Sequence, residues 1–251
     1  GETSGFIDAE GTSRFRPGSN GLGIRNRAAL NVPVTETSAI RIAGTYSSQD
    51  ALVRNVIKPV GRYEDDVEEK GARIKFLSDP GNGFTINLGG DYFKRTGISG
   101  FWDTTYRTLG ANTQYRTILG NAGIVPGADN LEIAQDGQSW RDIEMGGVQA
   151  KLAYVFDDGL EISSISAWKK MDHSYANDSD QTPVDFLNVN TNSTQYEQFS
   201  QEVRLALPDD GPFGGQAGLY YFQSNTDNEV QRGGLNRSEE RRVGKECRSR
   251  W

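Results

Sequence analysis

Cysteine and histidine are almost absent from these 251 residues, each occurring once, as Cys247 and His173. Without a thiol in the body of the chain a Cys–His nucleophile cannot be assembled, and His173 is the single imidazole that could serve as a general base. A body free of cysteine fits an exported protein that needs no disulfide. Long apolar runs are missing too. A spanning helix needs about 20 consecutive apolar residues, and here 35% of residues are apolar and the mean hydropathy is −0.63. That excludes helical spans only. Strands of a membrane barrel alternate between lipid and lumen and average to a polar sequence.

The net charge of −7 hides an uneven distribution. Residues 237–251 (RSEERRVGKECRSRW) hold six Lys/Arg, three Asp/Glu and the cysteine. This string resembles the translation of a sequencing-library adapter read in frame, and it is set aside as an artefactual, unstructured tail. Without it Lys+Arg falls to 27 − 6 = 21, Asp+Glu to 34 − 3 = 31, and the net charge becomes −10. Such an acidic body argues against nucleic acid as a partner.

What is present is alternation. In residues 198–222 (QFSQEVRLALPDDGPFGGQAGLYYF), Phe199, Gln201, Val203, Leu205 and Leu207 share one face. Ser200, Glu202, Arg204 and Ala206 share the other; a Pro/Gly/Asp-rich connection and a second run follow. This is a β-hairpin by pattern and turn chemistry. Taken alone it suits a sandwich strand or a barrel strand equally.

Similar runs recur at 6–15, 24–34, 39–47, 67–77, 84–93, 142–156 and 160–171. The apolar phase slips between Ile162 and Ile165, which predicts a bulge there. Nine strands and essentially no helix are expected. Connections 35–38, 78–83, 157–159 and 208–215 are short, and those between them, notably 48–66, 96–141 and 172–195, are long. In an up-and-down meander every second connection lies on the same rim. Sorting of loop lengths by rim is the pattern of an outer-membrane barrel, and a Greek-key sandwich has no reason to produce it. Strands of about 9–11 residues also suit a tilted crossing. Tyr46, Tyr92, Phe93, Tyr154, Phe156 and Trp168, near strand ends, are candidates for interfacial girdles, or are ordinary strand composition.

Candidate sites are few. His173 reads as a solvated loop residue. Pairs such as Asp65–Asp66, Glu68–Glu69 and Asp157–Asp158 read as rims and turns rather than glycosidase acid/base pairs. Asn177, Asp178, Asp180 and Asp185 offer oxygen ligands for calcium, yet lack the EF-hand glycine and glutamate and read as a soluble acidic loop. No metal or cofactor is expected. The 101–116 segment interleaves Phe101, Trp102, Tyr106 and Tyr115 with Arg107 and Arg116. Trp102, Tyr106, Arg107, Tyr115 and Arg116 are candidate ligand-binding residues, since aromatics and guanidinium groups suit an anionic, ring-bearing ligand. The alternative is that these aromatics pack the loop on itself.

The FSQEVRLA strand followed by AGLYYF resembles the barrel hairpin of TonB-dependent outer-membrane receptors. Residues 177–187 (NDSDQTPVDFL) resemble the loop before it. Asn31-Val32-Pro33-Val34 and Ala39-Ile40-Arg41-Ile42 resemble a hairpin near the start of the barrel in the same family. The likeness spans roughly residues 5–232. It implies about nine strands of a larger transmembrane β-barrel, in residues 1–236, from the outer membrane of a Gram-negative bacterium. It further implies outer-membrane lipid as surroundings and a TonB complex acting through a plug domain not recognisable here. The ligand would be scarce, a ferric siderophore being the favoured class, and no enzymatic activity is implied. Lacking a recognisable signal segment, plug and barrel closure, the chain is expected to be an internal fragment. A passive porin and a soluble all-β binding domain are the competing readings.

Overall fold

A computed structural model describes residues 2–13, 21–57, 66–97, 105–109, 111–137, 139–208 and 214–234. In chain order the elements are β1 (Ser4–Ser13), β2 (Leu22–Thr35), β3 (Ser38–Gln49), β4 (Arg54–Asn55), β5 (Val67–Ser78) and β6 (Phe84–Gly97). These are followed by α1 (Thr113–Asn121), β7 (Glu132–Ile133), β8 (Trp140–Val155), β9 (Glu161–Ala176), β10 (Val189–Ala206) and β11 (Gln216–Gly233). Nine of the strands form one sheet in the order β1-β2-β3-β5-β6-β8-β9-β10-β11, every neighbouring pair antiparallel. The fold is the expected all-β, up-and-down meander, the architecture of part of a larger barrel.

The register explains the alternation. Paired residues share a face of the sheet, and successive residues alternate faces. Leu30, Ile42, Ile74, Gly90, Val148, Trp168 and Phe199 therefore form one row across seven strands. One step along each strand, on the opposite face, runs Asn31, Arg41, Lys75, Gly89, Gln149, Ala167 and Ser200. One face is an apolar band and the other is polar. The apolar row is exposed: Leu30 46%, Ile42 51%, Ile74 50%, Val148 58%. The cluster of buried hydrophobics lies elsewhere, in the connections: Val53, Tyr106, Leu119, Ile124, Ile133 and Ala134. No second layer covers the apolar band among the described residues, as a sandwich would require.

Tyr46, Tyr92, Tyr154 and Trp168 fall on the apolar face, whereas Phe93 falls on the polar face. Beyond Tyr92 and Trp168 the apolar face turns charged, with Lys70, Lys94, Glu144 and Asp172 on one row. Trp168 sits at this border, its Nε1 donating to Glu197 at 2.7 Å. An indole with a wet tip and an apolar body suits such a boundary.

Several expectations need correction. No bulge interrupts β9, which keeps continuous register with both neighbours. The apolar phase slips because Ile162 lies on the apolar face while Ile165 lies on the polar face between Lys151 and Glu202. The register shift lies instead between Pro33 and Thr35 of the β2–β3 ladder, where Pro33 has no N–H to offer. The strands run to 18 residues in β10 and β11, so the expected loop 172–195 is strand at both ends and only 177–188 connects. His173 is accordingly a strand residue, opposite Ile143 and Thr194. The expected loop 96–141 contains the helix α1.

Candidate functional site

The connections sort by end of the sheet. At one end lie 36–37, 79–83, 156–160 and 207–215; at the other lie the three longest, 50–66, 98–139 and 177–188. Parts of those three join into one assembly. β4 and β7 pair in parallel, Arg54 with Glu132 and Asn55 with Ile133. The Asn55 side chain, 2% exposed, donates to the Gln135 carbonyl at 2.7 Å and accepts the Gln135 N–H at 3.2 Å. Two connections are thus stitched by an amide that imitates a strand partner.

The helix α1 follows from its own residues. Asn112 caps it, its Oδ1 accepting from the N–H groups of Gln114 and Tyr115 at 3.0 and 3.2 Å. Leu119, fully buried, and half-buried Tyr115 lie one turn apart on a single face. That face packs on Val53, Tyr106, Ile124, Ile133 and Ala134. Gly123, at φ +83°, ends the helical turn where a side chain would be strained.

The third connection is clasped by hydroxyls. Tyr106 donates to the carbonyl of Gln181, and Tyr115 to that of Asp180. Tyr106 Oη also accepts the Ala134 N–H at 3.5 Å. Burial pushes both phenols above their ordinary range. Asp178, 2% exposed, accepts the N–H of Gly137 at 3.0 Å and that of Gln181 at 2.9 Å. Burial raises its carboxyl to about 6, with neighbouring Asp180 and Asp136 adding to the rise and the two N–H donors opposing it. Asp180 accepts from the Thr182 N–H and hydroxyl at 2.9 and 2.6 Å, and from the Leu187 N–H at 2.8 Å.

These contacts decide what each candidate can do. Asn177 and Asp178 are buried structural groups rather than parts of a solvated acidic loop; Asp185 is exposed. No group of three or more metal-ligating side chains occurs among the described residues. Tyr106, 6% exposed, forms the centre of the assembly and offers no ring face to a bound molecule. Tyr115 is half-buried, and Arg107 and Arg116 are exposed on the surface of the assembly. Phe101 and Trp102 lie outside the described residues. The site is therefore a packed platform at the long-loop end, with cationic groups outside and tyrosines within. The platform itself went unread in the sequence, although Asn112, Tyr115, Leu119, Ala122 and Gly123 carried a helix signal.

No family model matches the chain, and neither does any curated protein. A search of solved structures does find a likeness, to the siderophore receptor PiuA from Acinetobacter baumannii. The fold matches that of a solved receptor. The alignment covers 91% of this chain and 31% of PiuA, with a TM-score of 0.60 and 15% identity. The chain thus spans about a third of that receptor's length, and at this identity the likeness concerns the fold.

Proposed function

We propose that the chain is part of an outer-membrane receptor that takes up a scarce ligand, with an iron–siderophore complex as the favoured class. The observation that carries this reading is the uncovered row Leu30–Ile42–Ile74–Val148–Trp168–Phe199, backed by a polar face. Fully burying such side chains contributes about 1.5–3 kcal/mol each. A water-soluble sheet would forgo that along the whole band, whereas lipid supplies the contact without a second layer. The polar face then lines a lumen, and the long-loop end faces outward. The neighbour's description as a siderophore receptor supports the ligand class.

On this reading, ligand is met at the loop platform, by Arg107, Arg116 and half-buried Tyr115, while Tyr106 holds the platform together. Nine strands leave β1 and β11 as open edges, which lipid cannot satisfy, so the rest of the barrel and a plug engaged by TonB belong to a longer protein. Residues 237–251, expected to be an artefactual tail, lie outside the described residues.

The test is fractionation and uptake with the full-length protein. It should enter the outer membrane, bind a ferric siderophore, and lose uptake when TonB is deleted. Uptake that persists without TonB would identify a passive channel, and recovery in the soluble fraction would end the membrane reading.

A further inference from the structure

On the polar face near the short-connection end, three cations stand together. Arg41 and Lys75 are direct cross-strand partners, and Arg73 lies two residues from Lys75 on the same face. Cross-strand partners of this kind have Cβ atoms about 4.5–5.5 Å apart, and like charges placed so destabilise a sheet. One carboxylate is near: Asp91, the cross-strand partner of Arg73. Yet none of the three cations forms an ion pair with a carboxylate among the described residues. Some other cations of this face are paired, Arg27 with Asp8 at 3.0 Å and Arg95 with Glu69 at 3.1 Å. Arg41 is also held in place, its Nη1 donating to Asn31 at 2.8 Å. The cluster lies only three residues from the end of its ladder, where Ser38 and Ser78 pair.

We infer that Arg41, Arg73 and Lys75 form a binding station for a small polyanion bearing phosphate or carboxylate groups. Two such groups joined by a short linker match the cross-strand spacing. Guanidinium and ammonium groups bind both chemistries through charged hydrogen bonds, and a bound anion relieves the repulsion between Arg41 and Lys75. The inference rests on the uptake reading for its place in a route: the station lies on the polar face toward the end opposite the loop platform. It selects anionic solutes at exit rather than at capture.

The experiment is calorimetric titration of the purified full-length protein at low, constant ionic strength. Pyrophosphate is the phosphate probe and tricarballylate the carboxylate probe. Saturable binding of at least one is expected, weakened about tenfold or more in Arg41→Gln/Arg73→Gln/Lys75→Gln, the size of one charged hydrogen bond lost. Arg41→Lys/Arg73→Lys should keep most of the affinity. The probe that binds more tightly identifies the chemistry. The triple glutamine protein should also melt no lower than the parent without anion, since repulsion is removed.

Absence of binding to the parent, or equal binding to the triple variant, overturns the inference. A large drop in melting temperature of the anion-free triple variant overturns it too, because the cations would then be paired with carboxylates of the protein itself. Fractionation separates this from the uptake reading. A soluble protein that still binds pyrophosphate here refutes uptake and keeps the station, and an outer-membrane protein that binds neither probe does the reverse.

Discussion

The Asp178 carboxylate accepts the backbone N–H of Gly137 at 3.0 Å, across a sequence separation of 41. The contact is so close that a Cβ on Gly137 would meet the Cβ of Asp178 at 2.9 Å and its Cγ at 3.1 Å. The loop platform is locked at this point. Gly137→Ala should therefore loosen the platform by roughly 1–3 kcal/mol through overpacking and a strained hydrogen bond. The sheet should survive, because none of its ladder bonds involves Gly137. Limited proteolysis of the full-length protein in membranes checks this: new cleavage within 98–139 is expected, with the barrel band intact.

The same carboxyl makes the platform sensitive to pH. Its folded value of about 6 lies above the ordinary 3.8. The folded state then binds more protons than the unfolded state between those values, so stability is fully present below about 4 and falls as pH rises through about 6. The span corresponds to at most about 3 kcal/mol. Amide exchange at Gly137 and Gln181 should speed up from pH 4 to 7 beyond its intrinsic pH dependence. Asp178→Asn should abolish that excess.

Ligand binding should separate surface from centre. Arg107→Ala and Arg116→Ala should each weaken binding of a ferric siderophore by about 1.5–3 kcal/mol if each makes a charged hydrogen bond, with loop proteolysis unchanged. Tyr106→Ala should abolish binding indirectly, since emptying a buried aromatic site costs about 3–5 kcal/mol and exposes the loop to protease. Equal proteolysis in all three variants would contradict this division.

Much of the sheet was legible because one face is apolar and the other polar over the height of the apolar band. Beyond that height both faces turn polar, as in DHSYA of β9 and NTNSTQYEQ of β10. Alternation then vanishes, and the outer ends of β9 and β10, residues 172–176 and 189–195, read as loop although the ladder continues. The platform core was harder still. Val53, Leu119 and Ile133 come from separate stretches of two connections, and single apolar residues in polar sequence carry no period. The tyrosines of the 101–116 segment announced chemistry, but only the fold reveals that Tyr106 spends its ring on packing and its hydroxyl on Gln181.

The two ends of the sheet should differ in exposure on whole cells. Ser179→Cys in the 177–188 loop should react with an impermeant maleimide, and Asn82→Cys in the 79–83 turn should react after lysis alone. Equal labelling before lysis would refute the assignment of rims.

On the membrane reading, the uncovered apolar row meets lipid and its neighbours on the other face meet water. Val148 and Gln149 are adjacent in β8 and lie on opposite faces. Spin labels at Val148→Cys and Gln149→Cys of the full-length protein in bilayers report this directly through collision with oxygen, which concentrates in lipid, and with a water-soluble nickel chelate. High oxygen and low nickel accessibility are expected at 148, with the lower oxygen-to-nickel ratio at 149. A label at 148 as accessible to the nickel chelate as one at 149 would contradict that reading.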